Sequence, residues 1–109
     1  VYIDDKAAVK SSDILMINAD RGYTEIELAS GQKKTCVRKS LKAWEEELGQ
    51  YGFMRINDGC IINCRYVREI EGGTAVIRNT GAKLKVSRRR KTECAAFFRD
   101  YSVKSSRYI

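Results

Sequence analysis

Four consecutive basic residues, Arg88-Arg89-Arg90-Lys91, form the longest run of positive charge in this sequence. Ser87 precedes them as a predicted N-cap, so the pattern places them in the first turn of a final helix. The helix dipole is positive at that end, and each cation there is unfavourable by roughly a few tenths of a kcal/mol. The free backbone N–H groups at the same end attract anions. The cluster therefore predicts a phosphate-binding site, and the alternative is a set of solvated surface side chains.

A second candidate site is the polar turn Asn57-Asp58-Gly59, which interrupts an apolar stretch over residues 53–70. The pattern predicts a strand, an exposed turn, a buried segment and another strand. Asn63 interrupts the buried segment with an amide that must find a hydrogen-bond partner. Short turns that rigid strands hold on both sides often bind ligands, so we treat this turn as a candidate binding loop.

The net charge of +7 is unevenly distributed along the 109 residues. Residues 1–54 carry eight basic and nine acidic groups, whereas residues 55–109 carry thirteen basic and five acidic groups. Between Arg78 and Lys91 there are seven basic residues and no acidic one. This concentration favours a polyanionic partner over a merely solvated face.

The residue types argue against an enzyme, a metal site or a cofactor. The chain has no histidine, so it has no Cys–His or Ser–His pair, and no glycine-rich loop resembles a nucleotide cradle. Its cysteines lack paired zinc-ligand spacing, which favours buried reduced thiols. These cysteines are Cys36, Cys60, Cys64 and Cys94.

The length and the apolar spacing predict one mainly β domain over residues 1–109, built from antiparallel strands and two short helices. Ser40 is the predicted N-cap of the first helix, whose apolar residues Leu41, Trp44 and Leu48 share one face. No apolar run approaches the ~20 residues that a membrane span needs. Residues 102–109 are weakly patterned, and we expect this tail to fray.

The last helix has an apolar face that we expect to pack in the core. Its members recur at positions i, i+3, i+4 and i+7: Cys94, Phe97, Phe98 and Tyr101.

Three segments, in the same order along the chain as in the family, resemble the LytTR family of bacterial DNA-binding domains. The central segment of that family reads approximately F-x-R-I-H-(R/K)-S-y-I-V-N, followed by a strand ending in Ile. The residues that fit it are Phe53, Arg55, Ile56, Ile61, Ile62, Asn63 and Ile70. Asn57, Asp58 and Gly59 depart from it, because they occupy the His, basic and Ser positions. Residues 13–19 with Gly22-Tyr23, and residues 84–88, resemble two further family segments, so the resemblance covers about residues 7–101.

The resemblance implies an elongated, mostly antiparallel β structure whose loops enter successive major grooves of double-stranded DNA and bend it. It implies transcription regulation in the cytoplasm, as the output half of a response regulator with an upstream receiver domain. Binding of tandem promoter repeats as a pair is also implied. The alternative function is an RNA-binding or protein-interaction module that uses the basic C-terminal half.

Carried over by position, the family's base-reaching residues correspond to Tyr23, Asp58 and Arg88. The phosphate contacts correspond to Arg21, Gly59, Arg89 and Lys91. With Asn57 and Arg90 from the same two segments, the candidate DNA-binding set has nine members.

Two interpretations remain open for Asp58 in this set. Its carboxylate either accepts a hydrogen bond from cytosine N4 or only stabilises the turn through backbone N–H groups. The ease with which Asx residues before glycine form turns favours the second.

Overall fold

Two antiparallel sheets carry most of the fold, and the computed structural model describes residues 1–3, 8–36, 39–78 and 80–106. The first sheet contains β1 (Ile14–Asp20), β2 (Tyr23–Leu28), β3 (Lys33–Cys36), β4 (Phe53–Asn57) and β5 (Cys60–Asn63), in the order β3-β2-β1-β5-β4. The second contains β6 (Val67–Glu71), β7 (Thr74–Ile77) and β8 (Lys83–Lys85) in sequence order. The predicted mainly β, antiparallel fold is therefore confirmed.

Helix α1 (Leu41–Leu48) packs on the first sheet as its apolar spacing predicts. Ser40 caps it, because its hydroxyl oxygen accepts a hydrogen bond from the Ala43 N–H at 3.1 Å. Trp44 is fully buried and donates its indole N–H to Thr24 Oγ1 at 3.0 Å. The tryptophan is therefore a core residue and is not available to stack on a base.

Strand β5, between β1 and β4, is buried on both faces, which gives the fold three layers. Ile61 and Ile62 point to opposite faces, and both are fully buried. Ile61 belongs to the core under α1 with Ile17 and Trp44. Ile62 belongs to a second core between the two sheets, which helix α2 (Lys91–Ser106) completes.

Asn63 fixes the end of β5 by satisfying three backbone groups. Its amide nitrogen donates to the carbonyl of Ile14 at 2.9 Å and to that of Ser11 at 3.4 Å. Its amide oxygen accepts from the Arg65 N–H at 3.0 Å. The expected polar partner of this buried amide is thus found.

The start of the last helix differs from the prediction. Arg88–Arg90 form a separate turn of 3₁₀ helix, and α2 begins only at Lys91. Ser87 precedes the 3₁₀ turn, but its side chain makes no capping hydrogen bond. Three of the four basic residues therefore lie before α2 and not in its first turn.

The apolar face of α2 differs in part from expectation. The helix continues to Ser106, residues 107–109 lie outside the described ranges, and the fraying of residues 102–109 stays a prediction. Cys94 is buried, whereas Phe97, Phe98 and Tyr101 are only half-buried against the second core. The ring of Tyr101 lies over Gly52, where an added Cβ would come within 2.7 Å of it.

The overall dimensions do not show the elongation that the resemblance implies. The principal-axis extents are 35, 32 and 25 Å, and the radius of gyration is 13.3 Å. A compact domain of this length has a radius of gyration of about 13 Å. The packing of both sheets and α2 around β5 explains this shape.

Candidate nucleic-acid interface

Arg21 and Gly22 form the tip of the hairpin between β1 and β2, which we call the first hairpin turn. Asp20 pairs with Tyr23, so only these two residues connect the strands. Their φ angles are +45° and +89°, and a two-residue type I′ turn requires positive values at both positions. Arg21 is exposed at this tip.

Asn57, Asp58 and Gly59 form the central turn between β4 and β5. Asn57 Oδ1 accepts a hydrogen bond from the Gly59 N–H at 2.8 Å, and Asn57 Nδ2 donates to the Lys85 carbonyl at 2.8 Å. Asn57 therefore stabilises the turn and joins it to β8. Within the described residues, the side chain that bonds to the turn's backbone N–H is that of Asn57, and both interpretations of Asp58 stay predictions.

The pairing of β1 with β5 places these two turns at the same end of the first sheet. Asn18 pairs with Cys60, and the Ala19 N–H donates to the Gly59 carbonyl at 2.9 Å. Each hairpin tip is centred between its own two strands, so the tips lie about 10 Å apart across the sheet. We call this end of the sheet the binding end.

The 3₁₀ turn Arg88–Arg90, here the arginine turn, reaches the same end. The Ser87 N–H donates to the Ile56 carbonyl at 2.8 Å, next to the central turn. Arg89 Nη2 lies 2.9 Å from Asp58 Oδ1. Residues that are far apart in sequence therefore meet at the binding end.

The side chains of Arg90 and Lys91 point away from those of Arg88 and Arg89. The side chain of Arg90 is only 16% exposed and turns toward α1, where Nη1 lies 3.7 Å from Glu45 Oε2. Lys91 is exposed and lies over the turn between β6 and β7, near Gly73. The cluster thus presents Arg88, Arg89 and Lys91 outward and turns Arg90 inward.

The hydroxyl groups of Tyr23 and Tyr66 are both engaged in hydrogen bonds within the protein. The hydroxyl of Tyr23 donates to Asp20 Oδ2 at 2.8 Å, and this bond with the Asp20 charge raises the pKa of Tyr23. The hydroxyl of Tyr66 donates to the Ser12 carbonyl.

The model of the LytTr DNA-binding domain matches residues 5–99. The chain belongs to the LytTR family. A LytTr DNA-binding domain of a putative methyl-accepting/DNA response regulator from Bacillus cereus has the same fold, with a TM-score of 0.69. That likeness covers 82% of this chain and 84% of the other at 19% identity. None of the curated proteins matches this LytTR chain in sequence.

Arg55 stabilises the binding end of this LytTR chain, a role that the sequence alone did not predict. Its Nη2 donates to the Asp58 carbonyl at 2.8 Å, and its Nε donates to the Asn57 carbonyl at 3.3 Å. The guanidinium therefore stabilises the central turn by binding its backbone carbonyls. The available sequence signal was an arginine two residues before a polar turn, which also matches the family segment.

All four cysteines of the LytTR chain are buried, as predicted, and none is joined in a disulfide. Burial raises the pKa of Cys60 and of Cys64 to about 12 and that of Cys94 to about 11. Desolvation favours the neutral thiol in each case. These three groups are therefore poor nucleophiles at neutral pH.

The described part of the chain contains neither a metal-binding cluster nor a membrane-spanning helix. No group of three or more His, Cys, Asp and Glu side chains there is arranged to hold a metal ion. No helix within those ranges is long and apolar enough to span a membrane.

Proposed function

We propose that this LytTR chain, acting as one domain, recognises double-stranded DNA in a sequence-specific way through the three turns of its binding end. The family itself implies DNA binding and transcription regulation. The observation that carries the finer proposal is the convergence of the first hairpin turn, the central turn and the arginine turn. In this proposal the turns enter the major groove, which is ~12 Å wide and accepts a two-stranded β-ribbon.

Exposure and charge assign different tasks to the residues of the binding end. Arg88 is exposed, so its guanidinium can offer a bidentate contact to guanine O6 and N7. Arg21 and Lys91 are exposed cations suited to phosphates. Gly59 already donates its N–H to Asn57, so its contribution is close backbone approach to DNA.

The remaining members of the candidate set act less directly. Tyr23 approaches a base beside the first hairpin turn, while its hydroxyl remains hydrogen-bonded to the Asp20 carboxylate. Asn57 holds the central turn, and Arg90 holds the arginine turn against α1. We therefore leave Asn57 and Arg90 out of the set that touches DNA.

A titration against three polyanions tests this proposal. Fluorescence anisotropy would compare duplex DNA, single-stranded RNA and heparin at two salt concentrations. We expect the chain to prefer one duplex sequence over its scrambled form at both salt concentrations, because base contacts are less sensitive to salt than phosphate contacts. Equal affinity for heparin and every duplex, or a preference for the RNA, would contradict the proposal.

The setting in the cell follows from the same proposal. The similar LytTr domain comes from a response regulator, which supports control of this chain by an upstream receiver domain. Binding to tandem promoter repeats by two copies in the cytoplasm fits that role. Size measurement of the complex on duplexes with one or two sites would give the number of copies bound.

A further inference from the structure

We propose that Glu45 is a positioning residue, which fixes the central turn and the arginine turn relative to each other for DNA recognition. The inference rests on the proposed DNA binding. Glu45 lies on α1, outside the candidate DNA-binding set, and its side chain is about one-third exposed. Its two carboxylate oxygens contact two different arginines. Arg55 is hydrogen-bonded to the central turn, and Arg90 is part of the arginine turn.

The first contact leads from α1 to the central turn. Glu45 Oε1 lies 3.6 Å from Arg55 Nη1, and the Arg55 side chain is only 18% exposed. The other two nitrogens of that guanidinium donate to the carbonyls of Asn57 and Asp58. A single planar guanidinium thus connects the Glu45 carboxylate with the turn backbone, and its rigid fork makes the connection directional.

The second contact leads from α1 to the arginine turn. Glu45 Oε2 lies 3.7 Å from Arg90 Nη1. A 3₁₀ helix has 3.0 residues per turn, so successive side chains project about 120° apart. Because Arg90 points inward to Glu45, Arg88 and Arg89 must point away from α1, and both are exposed.

The electrostatics make Glu45 hard to replace. It is the carboxylate that lies between the guanidinium groups of Arg55 and Arg90, both of which are mostly buried. Arg90 Nε is buried and has no hydrogen-bond partner within the described residues. Removal of the Glu45 charge would leave two neighbouring cations that repel each other, and Arg90 would turn toward solvent.

Discrimination between DNA sequences depends on this arrangement more strongly than non-specific affinity for DNA does. Base contacts from two turns add only if both turns fit their bases at the same time, which requires placement to about 0.5 Å. Phosphate attraction tolerates looser geometry, and a released Arg90 would add an exposed cation. Loss of Glu45 should therefore lower specific binding and leave non-specific binding unchanged or stronger.

The test uses Glu45→Gln, with Glu46→Gln as the matched control. Glu46 is the next residue on α1, is exposed, and undergoes the same change of charge. The probes are the duplex that the wild-type protein selects from a randomised pool and a scrambled form of it. We expect Glu45→Gln to lower the affinity ratio of the two duplexes by roughly 3- to 30-fold. We expect Glu46→Gln to preserve it.

A second variant covers the case in which Glu45→Gln does not fold. Arg90→Met removes the anchor of the arginine turn from the other side, with Arg99→Met on the exposed face of α2 as its control. If Glu45 acts through Arg90, the double variant Glu45→Gln/Arg90→Met loses less discrimination than the sum of the single losses. Amide resonances of Gly59 and Arg89 should shift in Glu45→Gln and not in Glu46→Gln.

The outcomes separate the two proposals. If the wild-type protein selects no duplex, the proposed function fails, and the role of Glu45 fails with it. If the wild-type protein selects a duplex but Glu45→Gln or Arg90→Met discriminates as well as its control, only the positioning role is overturned. Additive losses in the double variant would also overturn it.

Discussion

Arg89 Nη2 lies 2.9 Å from Asp58 Oδ1, and this ion pair joins the arginine turn to the central turn. The two side chains are 74% and 81% exposed. An ion pair this exposed contributes about 0–1 kcal/mol to stability. Its influence on DNA binding can therefore be measured separately from any influence on folding.

Asp58→Asn should strengthen binding to every duplex without changing the preferred sequence. The change removes a negative charge near the phosphates, where like charges at ~4 Å repel by about 1 kcal/mol in water. It also frees Arg89 from its ion pair. Anisotropy titration against a panel of duplexes measures this, with Asp13→Asn, in the turn just before β1, as the control. A selective loss at one cytosine position would show instead that Asp58 reads that base.

Arg88→Ala should remove discrimination at one base pair, at a cost of roughly 1–3 kcal/mol there. The loss follows from the proposed bidentate contact of the Arg88 guanidinium with guanine O6 and N7, which an alanine cannot make. Binding to a series of single-base variants of the selected duplex measures it. Arg65→Ala is the matched control, because this exposed arginine lies beyond the other end of β5. Similar losses for both arginines would indicate a purely electrostatic effect.

Lys91→Ala should weaken binding to all duplexes by a similar factor. A lysine that contacts phosphate releases a counterion, so its removal reduces the slope of log K against log salt by about one unit. Titrations at several salt concentrations give the slope. Lys33→Ala, at the far end of the first sheet, should leave the slope unchanged. An unchanged slope in Lys91→Ala would place this lysine outside the DNA contact.

Thr24→Val should lower the free energy of unfolding by about 1–3 kcal/mol, because it leaves the buried Trp44 N–H without an acceptor. The Thr24 hydroxyl also lies 3.3 Å from the carbonyls of Cys36 and Lys39. Urea denaturation measures the change. Thr35→Val, on the exposed side of β3, is the matched control and should have little effect. Equal stability of the two variants would mean that another acceptor replaces Thr24.

The buried thiols should make the protein less stable in alkaline solution. Cys60 and Cys64 have a pKa of about 12 in the folded chain, against an ordinary value of 9.0. Above about pH 9 the unfolded chain loses thiol protons that the folded chain retains, so the free energy of unfolding falls as pH rises. Urea denaturation between neutral pH and about pH 10 would show the decline. In Cys60→Ala, the free energy of unfolding should fall by less over this pH range than in the wild-type protein.

Native protein should also react slowly with iodoacetamide and carry no zinc. Slow alkylation follows from burial and from the protonated state of the thiols, and urea should accelerate it. Elemental analysis of protein purified without a chelator checks the second expectation. Stoichiometric zinc would show that the cysteines are ligands.

The sequence by itself determined the local elements, because their causes lie within a few residues. The alternation of Thr24, Ile26 and Leu28 gave a strand with one buried face, and the spacing of Leu41, Trp44 and Leu48 gave a buried helical face. Ser40 and the central turn were recognisable from their own side chains. The excess of basic residues in the second half indicated a polyanion without any knowledge of the fold.

Only the tertiary structure decided which of the charged residues are exposed together at the binding end. Four adjacent basic residues look equivalent in sequence, yet Arg90 turns inward because Glu45, from a distant helix, lies beside it. Asp58 and Asn57 look like alternative turn residues, yet Lys85 engages Asn57 and Arg89 engages Asp58. These partners are separated by 28 to 45 residues, and their proximity depends on strand pairing that no local pattern specifies.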